Sequence, residues 1–288
     1  MYKTLLTDLS DNIFTITINR PDKLNAINKT VMDELSEAVN EIYQNKDIRS
    51  AIITGAGQKA FVAGADISEF QGLTNEEGQA LAAKGQAIFM RIASSPKPIA
   101  AAIHGFALGG GCELAMACHF RLCSRDARFG QPEVNLGLIP GYGGTQRLTQ
   151  LVGKGHALEI MLSARMVDAI EAHLMGLVNY IVNEPNELLT KTRELLSIIN
   201  EKAPIAIARI IECANIAAGD GATLNQPPSS LRSGQPSSGH VDGDGAGLGV
   251  RNGFLREQQA FGECFSTEDM KEGASAFLGK RKPVFKGI

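Results

Sequence analysis

No uninterrupted apolar run reaches the roughly 18 residues that a membrane-spanning helix needs, which argues against a span. No block of lysine and arginine stands out in a chain whose net charge is −3, so nucleic acid is a poor default partner. The opening residues, "MYKTLLTDLSDNIFTITINRP", lack a basic stretch followed by an apolar core, and no secretory signal is expected there. The five cysteines, Cys112, Cys118, Cys123, Cys213 and Cys264, are odd in number and form no C-x-x-C. A disulfide framework is not expected, and reduced cytoplasmic thiols are the better reading. The five histidines do not fall at metal-ligand spacing and no H-E-x-x-H occurs, so no metal site is expected.

What is present is ample apolar material, 44% of 288 residues, enough for a sizeable core. The first half alternates strand and helix signals. "NIFTITINRP" reads as a strand ended by Pro21, and "RSAIITGAG" and "KPIAAAIHG" as buried strands. Val31, Leu35, Val39 and Ile42 make a helical stripe, with Thr30 and Asp33 as a capping box at its start. "EEGQALAAKGQAIFMRIASS" reads as a helix stopped before Pro96, and a further helix is expected from Gly111 to about Phe120. "DARFGQPEVNLGLIPGYGG" reads as loop and short strand, and "GKGHALEIMLSA" and "VDAIEAHLMGLV" as helices. After about residue 186 the strand signals stop. The tail reads as helical, with a turn and a new start over Thr267 to Met270. This succession predicts an α/β fold with helices covering sheet layers, an expected core over 1–195 and a helical region over 196–288.

Residues 227–252, "PPSSLRSGQPSSGHVDGDGAGLGVRN", break the pattern. They hold too little apolar surface to offset the entropy of ordering, and a flexible segment is expected between two helices. Asp242 and Asp244 lack the remaining ligands of a calcium loop and read as part of a solvated linker.

The chemistry is concentrated elsewhere. In "HGFALGGGCELAMACHFR", three glycines at 109–111 precede Glu113, which four apolar residues follow. Glycines let a backbone approach a ligand, and a first helical turn offers unpaired N–H donors. Glu113 fits a first-turn acid drawn by the helix dipole. Its apolar company equally points to a buried carboxylate with a task. Glu133, between Pro132 and Val134, reads either as an exposed turn acid or as the partner of Glu113. Two carboxylates in apolar surroundings suit acid–base work in which one activates a water and the other moves a proton at the adjacent atom. In "KAFVAGADISEF", small residues around Gly64 leave room for a ligand on the backbone and for a second oxyanion donor. Asp66 there reads as a helix cap.

Together "RPDKLNAI", "FVAGADI", "HGFALGGGCELAMACHFR", "RFGQPEVNLGLIPGYGGTQRL" and "TEDMKEGASAFLGKRKPVF" resemble the crotonase superfamily, and within it the short-chain enoyl-CoA hydratases. The resemblance runs from about residue 5 to 288, broken by 227–252. It implies a spiral of ββα units forming two sheets, with a helical C-terminal region for trimerisation and a homotrimer or a dimer of trimers. It implies an acyl-CoA thioester substrate, no cofactor beyond the CoA carried by that substrate, and no membrane or nucleic-acid partner. By position, Gly110 and Ala65 match the backbone donors of an oxyanion hole. Glu113 matches the general base that activates water, and Glu133 the general acid that protonates the α-carbon. Gly141 and Gln131 match the active-site motif, Lys23, Ala63, Asp66 and Ile67 the CoA-binding stretch, and Phe277 and Lys280 positions that reach a neighbouring subunit's CoA. Ser68 stands where many relatives carry a basic residue, and Tyr142 where some carry a smaller one. Retaining both glutamates favours a hydratase over an enoyl-CoA isomerase, a thioester hydrolase or a decarboxylase of the same fold. A non-catalytic relative would be expected to lose a glutamate or to carry a basic groove. An inactive chain would follow if the inserted segment blocked assembly.

Overall fold

A computed structural model describes residues 2–218 and 245–286. The chain opens with a hairpin of β1 (Leu5–Ser10) and β2 (Ile13–Ile18), turned over Asp11 and Asn12, both at positive φ. This is the backbone that a tight two-residue hairpin requires. The helix α1 (Lys29–Gln44) follows and buries Val31, Leu35, Val39 and Ile42, the stripe read from the sequence. Its cap is Asn28, whose side chain accepts from Val31 N–H at 2.9 Å, and not the Thr30–Asp33 box. Thr30 already lies inside the first turn, and Asn caps as well as Ser or Asp.

From here the chain repeats one unit, a strand in a large sheet, a strand in a small sheet and then a helix. The first unit is β3 (Ser50–Gly55), β4 (Ala60–Val62) and α2 (Asn75–Ala93). The second is β5 (Ile99–Ile103), β6 (Phe106–Leu108) and α3 (Gly110–Ala117). The third is β7 (Phe120–Ser124), β8 (Arg128–Gly130) and α4 (Gly144–Ser163). Then come β9 (Val167–Asp168), α5 (Ala169–Leu174) and β10 (Tyr180–Val182). The large sheet has the order β1-β2-β3-β5-β7-β10, and all its pairs but β1/β2 are parallel. The small sheet has the order β4-β6-β8-β9, parallel except at β8/β9. The expected α/β spiral of ββα units is therefore present.

Two boundaries differ from the sequence reading. The helix α3 stops at Ala117, and Phe120 opens β7 instead of ending the helix. All of α3 is buried, so no polar face marks where its period ends. The helix α4 starts earlier than expected, at Gly144, and is interrupted at Gly153, where φ is 78°.

No strand follows β10 among the described residues. The helices are α6 (Leu188–Asn200), α7 (Pro204–Ala218), α8 (Gly245–Cys264) and α9 (Glu268–Leu278), the last capped by Thr267. Most of the 227–252 segment, with Asp242 and Asp244, lies outside the described residues, whereas 245–252 form the first turns of α8. The main core lies between α1, α2, α3 and the sheets. A second apolar cluster joins Phe70, Leu136 and Leu138 to Phe261, Phe265 and Met270 of the last two helices. No described helix is long and apolar enough to cross a membrane.

Candidate active site

The parallel strands β4, β6 and β8 are neighbours, so the loops that leave their C-terminal ends emerge along one edge of the small sheet. The chain leaving those ends carries Ala65, Gly110 at the start of α3, and Glu133. This is the edge at which parallel sheets commonly form ligand sites. A cavity of about 90 Å³ lies there, with Ala63, Ala65, Ile67, Gly110, Glu113, Glu133, Gly141 and Phe277 among its lining residues. The spacing in sequence is wide, and the sheet register brings these residues together.

Glu113 sits in the first turn of α3 and is 1% exposed. Its Oε1 accepts from the backbone N–H of Tyr142 at 2.8 Å and of Gly144 at 2.7 Å. Burial pushes its proton affinity well above the ordinary carboxylate range, and the charges of Glu133 and Glu257 push it further, while the two N–H bonds pull the other way. Glu133 opens a short 3-10 turn, Glu133–Leu136, behind Pro132. Burial pushes its carboxyl up to about 8, against its own backbone N–H, with a contribution from the charge of Glu257. Gln131 is fully buried, and its amide NH2, turned toward Glu133, reaches Oε2 at 3.1 Å and Oε1 at 3.2 Å.

Gly110 stands at the first position of α3, and an ideal Cβ on it would lie 3.7 Å from the Ala65 nitrogen. The two stretches of backbone thus adjoin, and no loop or turn hydrogen bond among the described residues uses the N–H of either residue.

The remaining candidates divide. The Lys23 stretch runs beside the 63–66 loop, bonded through Ala63 N–H to Leu24 O at 3.0 Å and Ile27 N–H to Gly64 O at 2.9 Å. Lys23 itself is exposed. Asp66 precedes a short 3-10 helix without capping it by its side chain, and instead pairs with Arg20 at 3.0 Å and accepts from Ser68 Oγ at 2.7 Å. Lys23, Asp66 and Lys280 are not among the cavity-lining residues, whereas Phe277 lines the cavity of its own chain. Among the described residues, no group of three His, Cys, Asp or Glu side chains is placed to hold a metal ion.

One buried acid escapes the sequence reading. Glu257, on α8, is 3% exposed, although its neighbours Arg256 and Gln258 and the run "LREQQ" suggest a solvated face. The signal was in the spacing. Phe254, Glu257, Phe261 and Phe265 recur at helical intervals, and all four are buried on one stripe.

The family model described as enoyl-CoA hydratase/isomerase matches residues 8–225. The chain is 40% identical over 278 residues to the short-chain-enoyl-CoA hydratase of Clostridium acetobutylicum, covering 96% of this chain and 95% of that protein. Among solved structures it is similar to an enoyl-CoA hydratase from Bacillus anthracis, with TM-score 0.71, 31% identity and coverage of 99% of this chain and 100% of that one. It is also similar to a methylmalonyl-CoA decarboxylase, with TM-score 0.80, 28% identity and full coverage of both chains. The fold thus hosts more than one reaction on CoA thioesters, while family and architecture agree across the whole length. The chain has the crotonase fold and belongs to the enoyl-CoA hydratase/isomerase family.

Proposed function

We propose that this protein is a hydratase of short-chain 2-enoyl-CoA thioesters, adding water across C2–C3 to give the 3-hydroxyacyl-CoA. The observation that carries the reading is the pair Glu113 and Glu133 on one small apolar cavity, in unequal surroundings. Glu113 receives two backbone N–H bonds on Oε1, which oppose the rise that its burial causes. Burial raises both carboxyls, Glu113 well above the ordinary carboxylate range and Glu133 to about 8, and the roles taken here, base for Glu113 and acid for Glu133, are those the family resemblance implies. Two buried like charges at one site do not both ionise readily, and the pair shares its titration.

In the proposed reaction the thioester oxygen accepts from Ala65 and Gly110 N–H. Glu113 takes a proton from water as the water oxygen bonds to C3. The π electrons move toward the thioester, and the charge collects on its oxygen. Glu133 then gives its proton to C2. Water has been added, Glu113 holds a proton and Glu133 has lost one, so a proton exchange resets the pair. Losing one donor of such an oxyanion hole typically costs about 3 kcal/mol of transition-state stabilisation.

The small cavity, walled by Tyr142, Leu138 and Phe261, supports a short acyl chain. The CoA portion would leave past the 63–67 stretch, where the family resemblance places it. Exposed Leu162, Leu174, Ile205 and Ile210 support assembly into an oligomer.

The test is loss of the enoyl-thioester absorbance of crotonyl-CoA on mixing with purified protein, beside Glu133→Gln. Rapid loss with the wild type and not with the variant is expected. No loss with the wild type, in a protein of oligomeric mass, would sink the hydratase assignment in favour of another reaction of the fold.

A further inference from the structure

Glu257 is a third buried carboxylate beside the site, and none of the steps above uses it. A carboxylate held out of water is costly unless donors surround it, and here they do. Its Oε1 accepts from Gly143 N–H at 2.5 Å and from Gln86 Nε2 at 3.0 Å. Its Oε2 accepts from Thr145 N–H at 2.9 Å and from the Thr145 hydroxyl. Gln86, on α2, is itself fixed, since its Nε2 reaches Gly141 O at 3.2 Å and its Oε1 accepts from Gln258 at 2.6 Å.

The backbone N–H groups that enter α4 are therefore divided in alternation. Those of Tyr142 and Gly144 go to Glu113, and those of Gly143 and Thr145 go to Glu257. One turn of chain is held between two carboxylates carried by helices far apart in sequence. The turn has little stiffness of its own, with glycine at 141, 143 and 144 and φ of 102° at Gly143. Its shape is set by what it is bonded to.

We propose that Glu257 is a positioning residue for the Glu113–Glu133 pair, clamping the 141–145 turn so that the N–H groups of Tyr142 and Gly144 stay on Oε1 of Glu113. The inference rests on the hydratase reading for its link to catalysis. The charge of Glu257 has a second effect. The titratable and charged groups around it are Glu113 on α3, Glu133 on the 3-10 turn and Arg147 on α4. Burial raises the proton affinity of Glu257 itself, and the Thr145 hydroxyl, the Gly143 and Thr145 N–H groups and the charge of Arg147, which donates to Tyr142 O at 2.9 Å, oppose that rise. The negative charge on Glu257 in turn raises the proton affinity of both working carboxyls.

Two substitutions separate charge from reach. Glu257→Gln keeps the shape and removes the charge. Glu257→Asp keeps the charge and withdraws it by one methylene. Crotonyl-CoA hydration is measured from about pH 5 to about pH 10, resolving kcat and KM. The side-chain carboxyls are followed over the same range by carbon NMR on protein labelled at glutamate Cδ, with Glu133→Gln identifying the Glu133 signal. For Glu257→Gln the expected result is a kcat lower by about 10- to 100-fold with KM within about twofold. The alkaline limb and the Glu133 carbon titration both move to lower pH, by about one unit. For Glu257→Asp the limb stays in place and kcat still falls. The proposal is overturned if Glu257→Gln leaves kcat unchanged, or lowers it while the limb and the carbon titration stay where they are. Should that variant fail to fold, Glu257→Asp decides, with a kcat loss at unmoved KM in support and wild-type kcat against. If the wild type does not hydrate crotonyl-CoA, the functional reading has failed, and the carbon titration alone still judges Glu257, a shift supporting its action on the pair and no shift overturning it.

Discussion

An ideal Cβ built on Gly109 would stand 2.5 Å from Oε1 of Glu133. The glycine before α3 and the acid after β8 thus occupy one space, in which the carboxylate lies where any other side chain would begin. Gly109 also holds φ 49° and ψ −124°, a backbone that an L side chain adopts only under strain. Gly109→Ala is expected to fold with a stability loss of about 1–3 kcal/mol. The flexible end of Glu133 has to move, and hydration falls by about 100-fold. Gly153→Ala is the control, since Gly153 has φ 78° with nothing within 4 Å of an added Cβ. It carries strain of the same kind away from the cavity and is expected to keep wild-type hydration. Equal activity loss in both variants would mean that backbone strain, and not the carboxylate, is responsible.

The raised carboxyl of Glu133 ties both activity and stability to pH. Its ordinary value is 4.5, and in the folded chain it lies at about 8, chiefly through burial. Between those two values the folded protein holds a proton that the unfolded chain has released. The stability contribution is thus fully present below about 4.5 and is lost as pH rises through about 8. Hydration is expected to fall over the same alkaline limb as the acid gives up its proton. Glu133→Gln removes both effects. Its melting temperature should exceed that of the wild type at about pH 8 and approach it at about pH 5, while it hydrates crotonyl-CoA poorly. Calorimetry at the two pH values checks this, and a wild-type advantage at the higher pH would contradict the buried, protonated acid.

The residues that announced themselves in the sequence were those whose neighbours made them anomalous. The α1 stripe was legible because Val31, Leu35, Val39 and Ile42 repeat at helical spacing against a polar face. Glu113 was legible because a carboxylate followed by Leu, Ala, Met and Ala is out of place on a surface. The end of α3 was hidden for the same reason that Glu113 stood out. A helix apolar all round has no phase to lose, and β7 continues the run directly. Glu257 was hidden by polar neighbours, although its stripe partners Phe254, Phe261 and Phe265 carried the information. The meeting of Ala65, Gly110 and Glu133 follows from parallel strand register, which no local pattern states. The family resemblance supplied that juxtaposition, and β4, β6 and β8 supply its physical cause.

Chain length is expected to hinge on Tyr142. Its ring is 4% exposed, packs edge-on against Phe89 at 5.6 Å, and lies so close to α2 that a Cβ on Gly85 would meet it at 2.3 Å. The ring lines the cavity that holds Glu113 and Glu133. It also lines a groove of about 460 Å³, together with Ile27, Met32, Phe70 and Leu81. Phe70 and Tyr142 are the lining residues the two spaces share. Tyr142→Ala should join them while keeping the backbone N–H that Glu113 accepts. The opened space is lined largely by apolar groups, and each methylene of a longer acyl chain placed there contributes up to about 0.8 kcal/mol. The ratio of kcat/KM for octenoyl-CoA to that for crotonyl-CoA is therefore expected to rise by about 10-fold or more. Truncating a buried aromatic costs about 3–5 kcal/mol of stability, so the comparison is made well below the variant's melting temperature. Tyr142→Phe keeps the wall and should keep the wild-type ratio. A folded Tyr142→Ala with an unchanged ratio would show that the acyl tail runs in another direction, toward Leu138 and Phe261.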